Sequence, residues 1–424
     1  FGTASSTGFS PAEFVLNDDW ATDTLTFRNA IVGRNTDETV SEFAVYTGSA
    51  TSIVERSVSN VGLVKKGAGT LVLNSSNAVA KIRVENGTVL LATPASSPVV
   101  MTNVVSGAMA VKTTGARLHL VDSVLDCSGT LYLYGDGNGT KPEVIVDGSG
   151  LDLDALAVGA HQKSIGTLVV TNRSVLRVEN ATTIARGTLK QYGGEVSLFN
   201  LKMGTGYAYE TAYNVYGGKT VCRMTGQGGF YLGVGTDTSS PASTMNVYEG
   251  AAVEVYSSDP SLGRYAGKTS SNYNRGYLNV YGGSFSVIRG DGSRAKFYVG
   301  YSGSGGLLVT NGTFSVEGGV IALQENTAGR SAYVKILKNG TVNTDYLRKK
   351  PIEGDVRRSV LMIDGGKIVA QKNNNDFISN FLTASVGAEG AVIDTAGFDL
   401  GVSQSFSAAA GQNDDPASGG VALN

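Results

Sequence analysis

The stretch Leu278-Asn279-Val280-Tyr281-Gly282-Gly283-Ser284-Phe285-Ser286-Val287 holds two short alternating runs on either side of a glycine pair. In an extended strand successive side chains point to opposite faces. Leu278, Val280, Phe285 and Val287 therefore share one side, and Asn279, Tyr281, Ser284 and Ser286 share the other. The apolar set is read as core. A glycine pair supplies the positive φ that a two-residue corner demands, and the same pair recurs at Gly193-Gly194, Gly217-Gly218 and Gly365-Gly366. A near copy with an asparagine in the corner, Leu308-Val309-Thr310-Asn311-Gly312-Thr313-Phe314-Ser315-Val316, follows directly.

Weaker copies share the corner. With its second residue as marker, they stand at Gly87, Ser123, Gly148, Arg173, Gly194, Gly218, Gly250, Gly283, Gly312, Gly340, Gly366 and Gly397, a mean period of about 28 residues. A unit of that length, without helical periodicity, suits one coil of a β-helix better than a propeller blade of ~40 residues. Loop insertions account for the uneven spacing. Tyr231-Leu232-Gly233-Val234-Gly235, Phe297-Tyr298-Val299-Gly300-Tyr301 and Leu156-Ala157-Val158-Gly159 read as a further strand closing each coil. The competing reading makes the glycine pairs hairpin turns of an antiparallel sandwich. The expected fold is all-β, a right-handed parallel β-helix (β-solenoid) of about 12 coils, a rod of roughly 55 to 60 Å at ~4.8 Å per coil.

Composition agrees with one repeated architecture. Glycine is 57 of 424 residues while proline is only 8, which excludes collagen and proline-rich linkers. A net charge of −2 with 17% charged residues leaves no field to attract nucleic acid, so no nucleic-acid partner is expected. Apolar runs fall far short of the ~20 residues of a membrane span. Cys127 and Cys222 lie more than three periods apart, roughly 16 Å along a stack, too far for a disulfide. They are read as two core thiols.

Residues 1–60 are less periodic and hold the only tryptophan, Trp20, beside Pro11 and Asp18-Asp19, so they are expected to form an N-terminal cap or docking segment. Residues 61–405 are expected to be the β-helix. Residues 406–424, with Asp414-Asp415-Pro416 and Gly419-Gly420, read as a flexible tail or the start of a further repeat. Phe1 is neither a start methionine nor the opening of a signal peptide, so the chain reads as a processed or excised piece.

Gly62-Leu63-Val64-Lys65-Lys66-Gly67-Ala68-Gly69-Thr70-Leu71-Val72-Leu73, a polar turn, and Val84-Glu85-Asn86-Gly87-Thr88-Val89 resemble the autotransporter-associated β-strand repeat, whose pattern is K-x-G-x-G-T-L-x-L, a turn, then V-x-x-G-T-L. The match covers about 30 residues closely. The resemblance implies a bacterial, extracellular β-helical passenger. Ala391-Val392-Ile393-Asp394-Thr395-Ala396-Gly397-Phe398-Asp399-Leu400 looks like the lead into another copy, implying a polypeptide that continues past Asn424. The sequence departs from a full autotransporter in showing no ~10-residue barrel strands with aromatic girdles.

Catalysis on acidic polysaccharides would need convergent carboxylates with basic partners. Asp152 and Asp154 share an outer face, with His161 and Lys163 soon after and Asp122 and Asp126 about one coil earlier. These are read as solvated carboxylates, and His119 as a surface strand residue. Asp136-Gly137-Asn138-Gly139-Thr140 has calcium-loop residue types without the distal ligands and reads as a turn. The N-G-T triplets at Asn86, Asn138, Asn311 and Asn339 also read as turns. Arg348-Lys349-Lys350 with Arg357-Arg358 reads as a solvated basic loop, with anionic glycan contact as the alternative. No catalytic, cofactor-binding or metal-binding residue is expected. Tyr192, Tyr216, Tyr248 and Tyr281 take the same place before successive corners and point outward, an expected interaction ladder for sugar rings or a neighbouring rod.

The function expected is a non-catalytic, extracellular structural or adhesive rod of a bacterial surface protein, self-associating into a fibre or lattice or continuing into further repeats. A carbohydrate-binding or polysaccharide-degrading β-helix is the alternative.

Overall fold

The computed structural model describes residues 12–16, 25–28, 31–32, 42–97, 99–134, 139–159, 164–205, 210–224, 229–235, 242–257, 259–265, 274–289, 294–325, 331–351, 358–409 and 421–423. Among the described residues every element is a β-strand. Arg275–Tyr281 does not pair with Ser284–Ile288 across Gly282-Gly283. It pairs in parallel with Ala242–Tyr248 and Ser304–Thr310, while Ser284–Ile288 pairs in parallel with Ala251–Tyr256 and Thr313–Val316. The glycine pair thus turns a corner between two faces of a coil. The hairpin reading is excluded, and the fold is a parallel β-helix.

The chain divides into two compact units, Phe1–Leu198 and Phe199–Asn424. In each, a coil has three strands on three faces. The first face holds eight described strands in each unit, from Leu25–Phe27 to Gly187–Gln191 in one and from Thr211–Val215 to Ser407–Ala408 in the other. These outnumber the twelve corner markers, because Leu25–Phe27, Thr51–Val54 and Thr70–Leu73 precede Gly87 and Ser407–Ala408 follows Gly397. Tyr231–Gly235 and Lys296–Val299 in the second unit, and the latter half of Gly150–Val158 in the first, form the third face, as their sequences suggested. Gly150–Val158 and Val175–Ile184 run unbroken from second face to third, with the register slipping between Leu153 and Ala155.

Parallel pairing begins upstream of residue 61. Ala12–Leu16 pairs with Glu42–Thr47, which pairs with Gly62–Lys66, and Thr51–Val54 pairs with Thr70–Leu73. Within 406–424, Val421–Leu423 pairs with Ala391–Asp394. Pro11, Asp18, Asp19, Trp20, Asp414, Asp415, Pro416, Gly419 and Gly420 lie outside the described residues.

Alternation set the core as expected: Leu278, Val280, Phe285 and Val287 are fully buried. Parallel register stacks like on like. In the second unit Val253, Phe285, Phe314, Val342, Ile368 and Ile393 form one inward column. Cys222 enters the adjacent column beside Val255 and Val287. Both cysteines are free and buried, and burial pushes the Cys127 thiol up to about 11 and the Cys222 thiol up to about 12, so neither is nucleophilic at neutral pH. Tyr213, fully buried in this core, keeps its hydroxyl 2.7 Å from that of Thr220, which satisfies both buried groups.

The K-x-G-x-G motif has a packing explanation. Lys65 is fully buried, and its ammonium donates to the carbonyls of Lys66 and Gly67, each at 2.7 Å, and of Asn86 one coil on, at 3.3 Å. A side chain at Gly67 or Gly69 would meet the preceding coil, with Cβ 2.2 Å from the Thr47 carbonyl or 2.0 Å from that of Ala50. Burial pushes the Lys65 pKa down to about 8, from 10.5 in an open chain. Between those values the unfolded chain binds more protons than the folded one, so stability rises with pH. From about pH 7 to about pH 9.5, below the tyrosine range, the wild type should gain on the order of 1–3 kcal/mol relative to Lys65→Met. Chemical denaturation of both proteins at several pH values measures it, and parallel profiles would contradict it.

Candidate functional site

The outward side of the first face in the second unit carries the candidate site. Tyr248 and Tyr281 are in register on adjacent strands. The rings of Tyr216 and Tyr248 stack at 4.8 Å and 14°, and those of Tyr248 and Tyr281 at 5.6 Å and 26°. Tyr216 is 38% exposed, and Tyr248 and Tyr281 are half-buried, so the flanks of the stack lie against neighbouring rings while its edge meets solvent. Burial, with the Tyr281 hydroxyl adding to it, pushes the Tyr248 pKa above its usual value, which keeps this phenol a neutral donor and acceptor. The ladder stops at Thr310, the residue in register with Tyr281 on the next strand. Tyr192 belongs to the first unit and is 48% exposed. Tyr216, Tyr248 and Tyr281 are thus brought together.

Two residues before each ladder tyrosine stands an asparagine. The Asn246 side-chain amide donates to Asn214 Oδ1 at 2.7 Å, and that of Asn279 to Asn246 Oδ1 at 2.9 Å. Parallel, in-register stacking places identical amides one strand spacing apart, the geometry of an amide ladder. A row of aligned amides therefore runs beside the rings. Its signal in sequence was the repeated N-V-Y triplet at 214–216, 246–248 and 279–281, of which only the tyrosine was singled out.

Two of the candidate carboxylates of the first unit, Asp152 and Asp154, are engaged with their neighbours. Asp126 is in register with Asp152, and Asp152 with Arg177, whose guanidinium lies 3.2 Å from the Asp152 carboxylate. Asp154 accepts from the Asn180 amide. Asp122 occupies a corner with φ 46°. His161, Lys163 and Asp136, Gly137 and Asn138 lie outside the described residues. His119 sits on the outer side of a first-face strand, half-buried, and burial pushes its pKa down, so it is neutral at pH 7. Among the described residues, no group of three or more His, Cys, Asp or Glu is placed to hold a metal ion, and no helix is long and apolar enough to cross a membrane.

The burial of His119 exposes a feature that alternation concealed. Ile53, Val72, Leu90, His119, Ile145 and Val169 are in register along one outward row of the first unit. A half-buried face is ordinarily polar on its outer side. The signal was present as unbroken apolar triplets, Leu71-Val72-Leu73, Val89-Leu90-Leu91, Val144-Ile145-Val146 and Leu168-Val169-Val170, whose central members must face outward.

The basic stretch is not one solvated loop. Tyr346–Lys349 is a third-face strand in which Lys349 is buried on the same side as Leu347, and Arg348 lies 4.6 Å from the centre of the Tyr346 ring. Lys350 reaches the Glu325 carbonyl at 3.2 Å. Arg357 lies outside the described residues, and Arg358 opens a first-face strand. Comparison with family models, with curated proteins and with solved structures finds no match for this chain.

Proposed function

We propose that this chain is a non-catalytic, extracellular structural or adhesive β-solenoid of a bacterial surface protein. The observation that carries the reading is the outward stack of Tyr216, Tyr248 and Tyr281. Rings held edge-outward by their neighbours are already ordered, so a ligand or second molecule that covers them pays little further side-chain entropy. The outward row in which Ile53, Val72 and Leu90 lie on one side of His119 and Ile145 and Val169 on the other supports self-association, since clustered apolar surface is characteristic of contact sites. The likeness of residues 62–92 to the autotransporter-associated repeat supports a bacterial, extracellular setting.

The carbohydrate-binding alternative is favoured by one observation, the amide row of Asn214, Asn246 and Asn279 beside the tyrosines, because sugars are held by ring stacking together with side-chain hydrogen bonds. A polysaccharide-degrading role finds no such support, since Asp152 and Asp154 are already paired with Arg177 and Asn180.

The test compares wild type with Tyr248→Ser/Tyr281→Ser and with Ile145→Lys/Val169→Lys, using sedimentation velocity for assembly and retention on immobilised glycans and cells for adhesion. The tyrosine variant should lose at least tenfold in adhesion, and the lysine variant should lose assembly. Folded variants that assemble and adhere like wild type would remove the reading.

A further inference from the structure

A second arrangement lies on the same outward face of the second unit, in rows that the tyrosine ladder does not use. Arg275, Ser304, Ser331 and Arg358 are in register on four consecutive strands. Three strand spacings of ~4.8 Å separate the arginines along the row, roughly 14 Å. Between them, Ser331 donates to the Ser304 hydroxyl at 3.1 Å. Both arginines are exposed, and among the described residues neither guanidinium has a carboxylate partner.

The next row is Tyr277, Gly306 and Tyr333, again in register. The glycine makes room for a ring. A Cβ at Gly306 would stand 2.1 Å from Tyr333 Cζ, so the Tyr333 ring lies flat over the glycine and stacks with Tyr277 at 6.0 Å and 24° across two strand spacings. Lys335 places its ammonium 5.4 Å from the centre of that ring. Burial pushes the Tyr333 pKa up to about 12, so its hydroxyl stays neutral and available as donor and acceptor. A cavity of about 210 Å³ opens here, lined by Ser331, Ala332, Tyr333, Lys335, Arg358 and Val360.

We propose that the row Arg275-Ser304-Ser331-Arg358, backed by Tyr277 and Tyr333, binds an acidic polysaccharide lying across the strands. Each component matches one feature of such a ligand. Planar guanidinium groups take carboxylates in bidentate geometry, and two of them at the ends of a row suit a chain that carries charge at intervals. The serine hydroxyls between them meet sugar hydroxyls. The tyrosine pair offers the flat apolar surface on which a pyranose ring packs, and the Lys335 ammonium adds positive charge beside it. The exposed guanidinium groups of Arg275 and Arg358 stand at the two ends of the row, where an anionic chain lying along it would meet both. The inference gives a ligand class to this surface and does not depend on the tyrosine ladder, which shares only the strand Arg275–Tyr281 with it and lies at that strand's other end.

The test measures binding of the whole chain to polygalacturonate by titration calorimetry, with methyl-esterified polygalacturonate and dextran as neutral counterparts. Binding should be at least tenfold weaker to the methyl ester than to the acid, and should weaken as salt is raised. Arg275→Gln/Arg358→Gln should lose at least tenfold. Gly306→Val should also lose several-fold while keeping its fold, because the added side chain displaces a movable ring and not backbone. Tyr248→Ser/Tyr281→Ser should bind polygalacturonate like wild type, which separates this site from the adhesive ladder. Equal binding to acid and ester, no binding to the acid, or an arginine variant that binds like wild type would each overturn the proposal.

Discussion

Phe285→Ala is expected to cost the second unit about 3–5 kcal/mol. Phe285 is fully buried and is the hub of an aromatic cluster: its ring stacks on Phe314 at 5.6 Å and 13°, and meets Phe230 at 5.6 Å and Phe297 at 6.2 Å edge-on. Phe297 sits on the third-face strand of the same coil, Phe314 on the next coil and Phe230 at the start of a third-face strand of an earlier one, all at spacings set by backbone hydrogen bonds, so they cannot close over the cavity. In a solenoid each coil contacts only its neighbours. The loss should therefore be local, with hydrogen-exchange protection falling first in Ala251–Tyr256, Ser284–Ile288 and Thr313–Val316. Phe285→Leu, which keeps most of the volume, should lose much less. A uniform small drop across all strands for Phe285→Ala would contradict this account.

Gly87→Val is expected to cost about 3–5 kcal/mol in the first unit, from two additive sources. The residue has φ 67°, where a β-branched side chain is strained. Its Cβ would also stand 2.3 Å from the Gly69 carbonyl and 2.4 Å from that of Gly67, atoms of the preceding corner that cannot rotate away. Opening that contact would disturb the Thr88 amide, which donates to the Gly69 carbonyl at 3.1 Å, and the Asn86 carbonyl that accepts from Lys65. Gly250→Ala is the control, because Gly250 has φ 79° but nothing within 4 Å of its Cβ. It should cost only about 1–2 kcal/mol. Equal losses in the two variants, measured by chemical denaturation, would remove the crowding argument.

The two glycine tests show why corners were harder to read than strands. The residue with positive φ is the marker itself at Gly87, Gly148, Arg173, Gly194, Gly218, Gly250 and Gly397, but stands one position before the marker at Asp122, Gly282, Asn311, Asn339 and Gly365. In Gly282-Gly283 only the first member needs its backbone freedom. The second is glycine because a Cβ there would lie 2.4 Å from the Tyr248 carbonyl of the previous coil. The sequence displays both requirements as the same letter.

Alternation in Leu278 to Val287, together with a period near 28, was sufficient to determine a parallel β-helix, its inward residues and the outward direction of Tyr216, Tyr248 and Tyr281. Strand geometry is local, and a period-two pattern names its own faces. Register is not local. Which outward residues share a row depends on loops of unequal length between strands, so only the tertiary structure joined Arg275 to Arg358 across 83 positions, laid Tyr333 over Gly306, and lined Ile53 up with Val169. The burial of Lys65 was decided in the same way, by carbonyls that converge on it from its own corner and from the next coil.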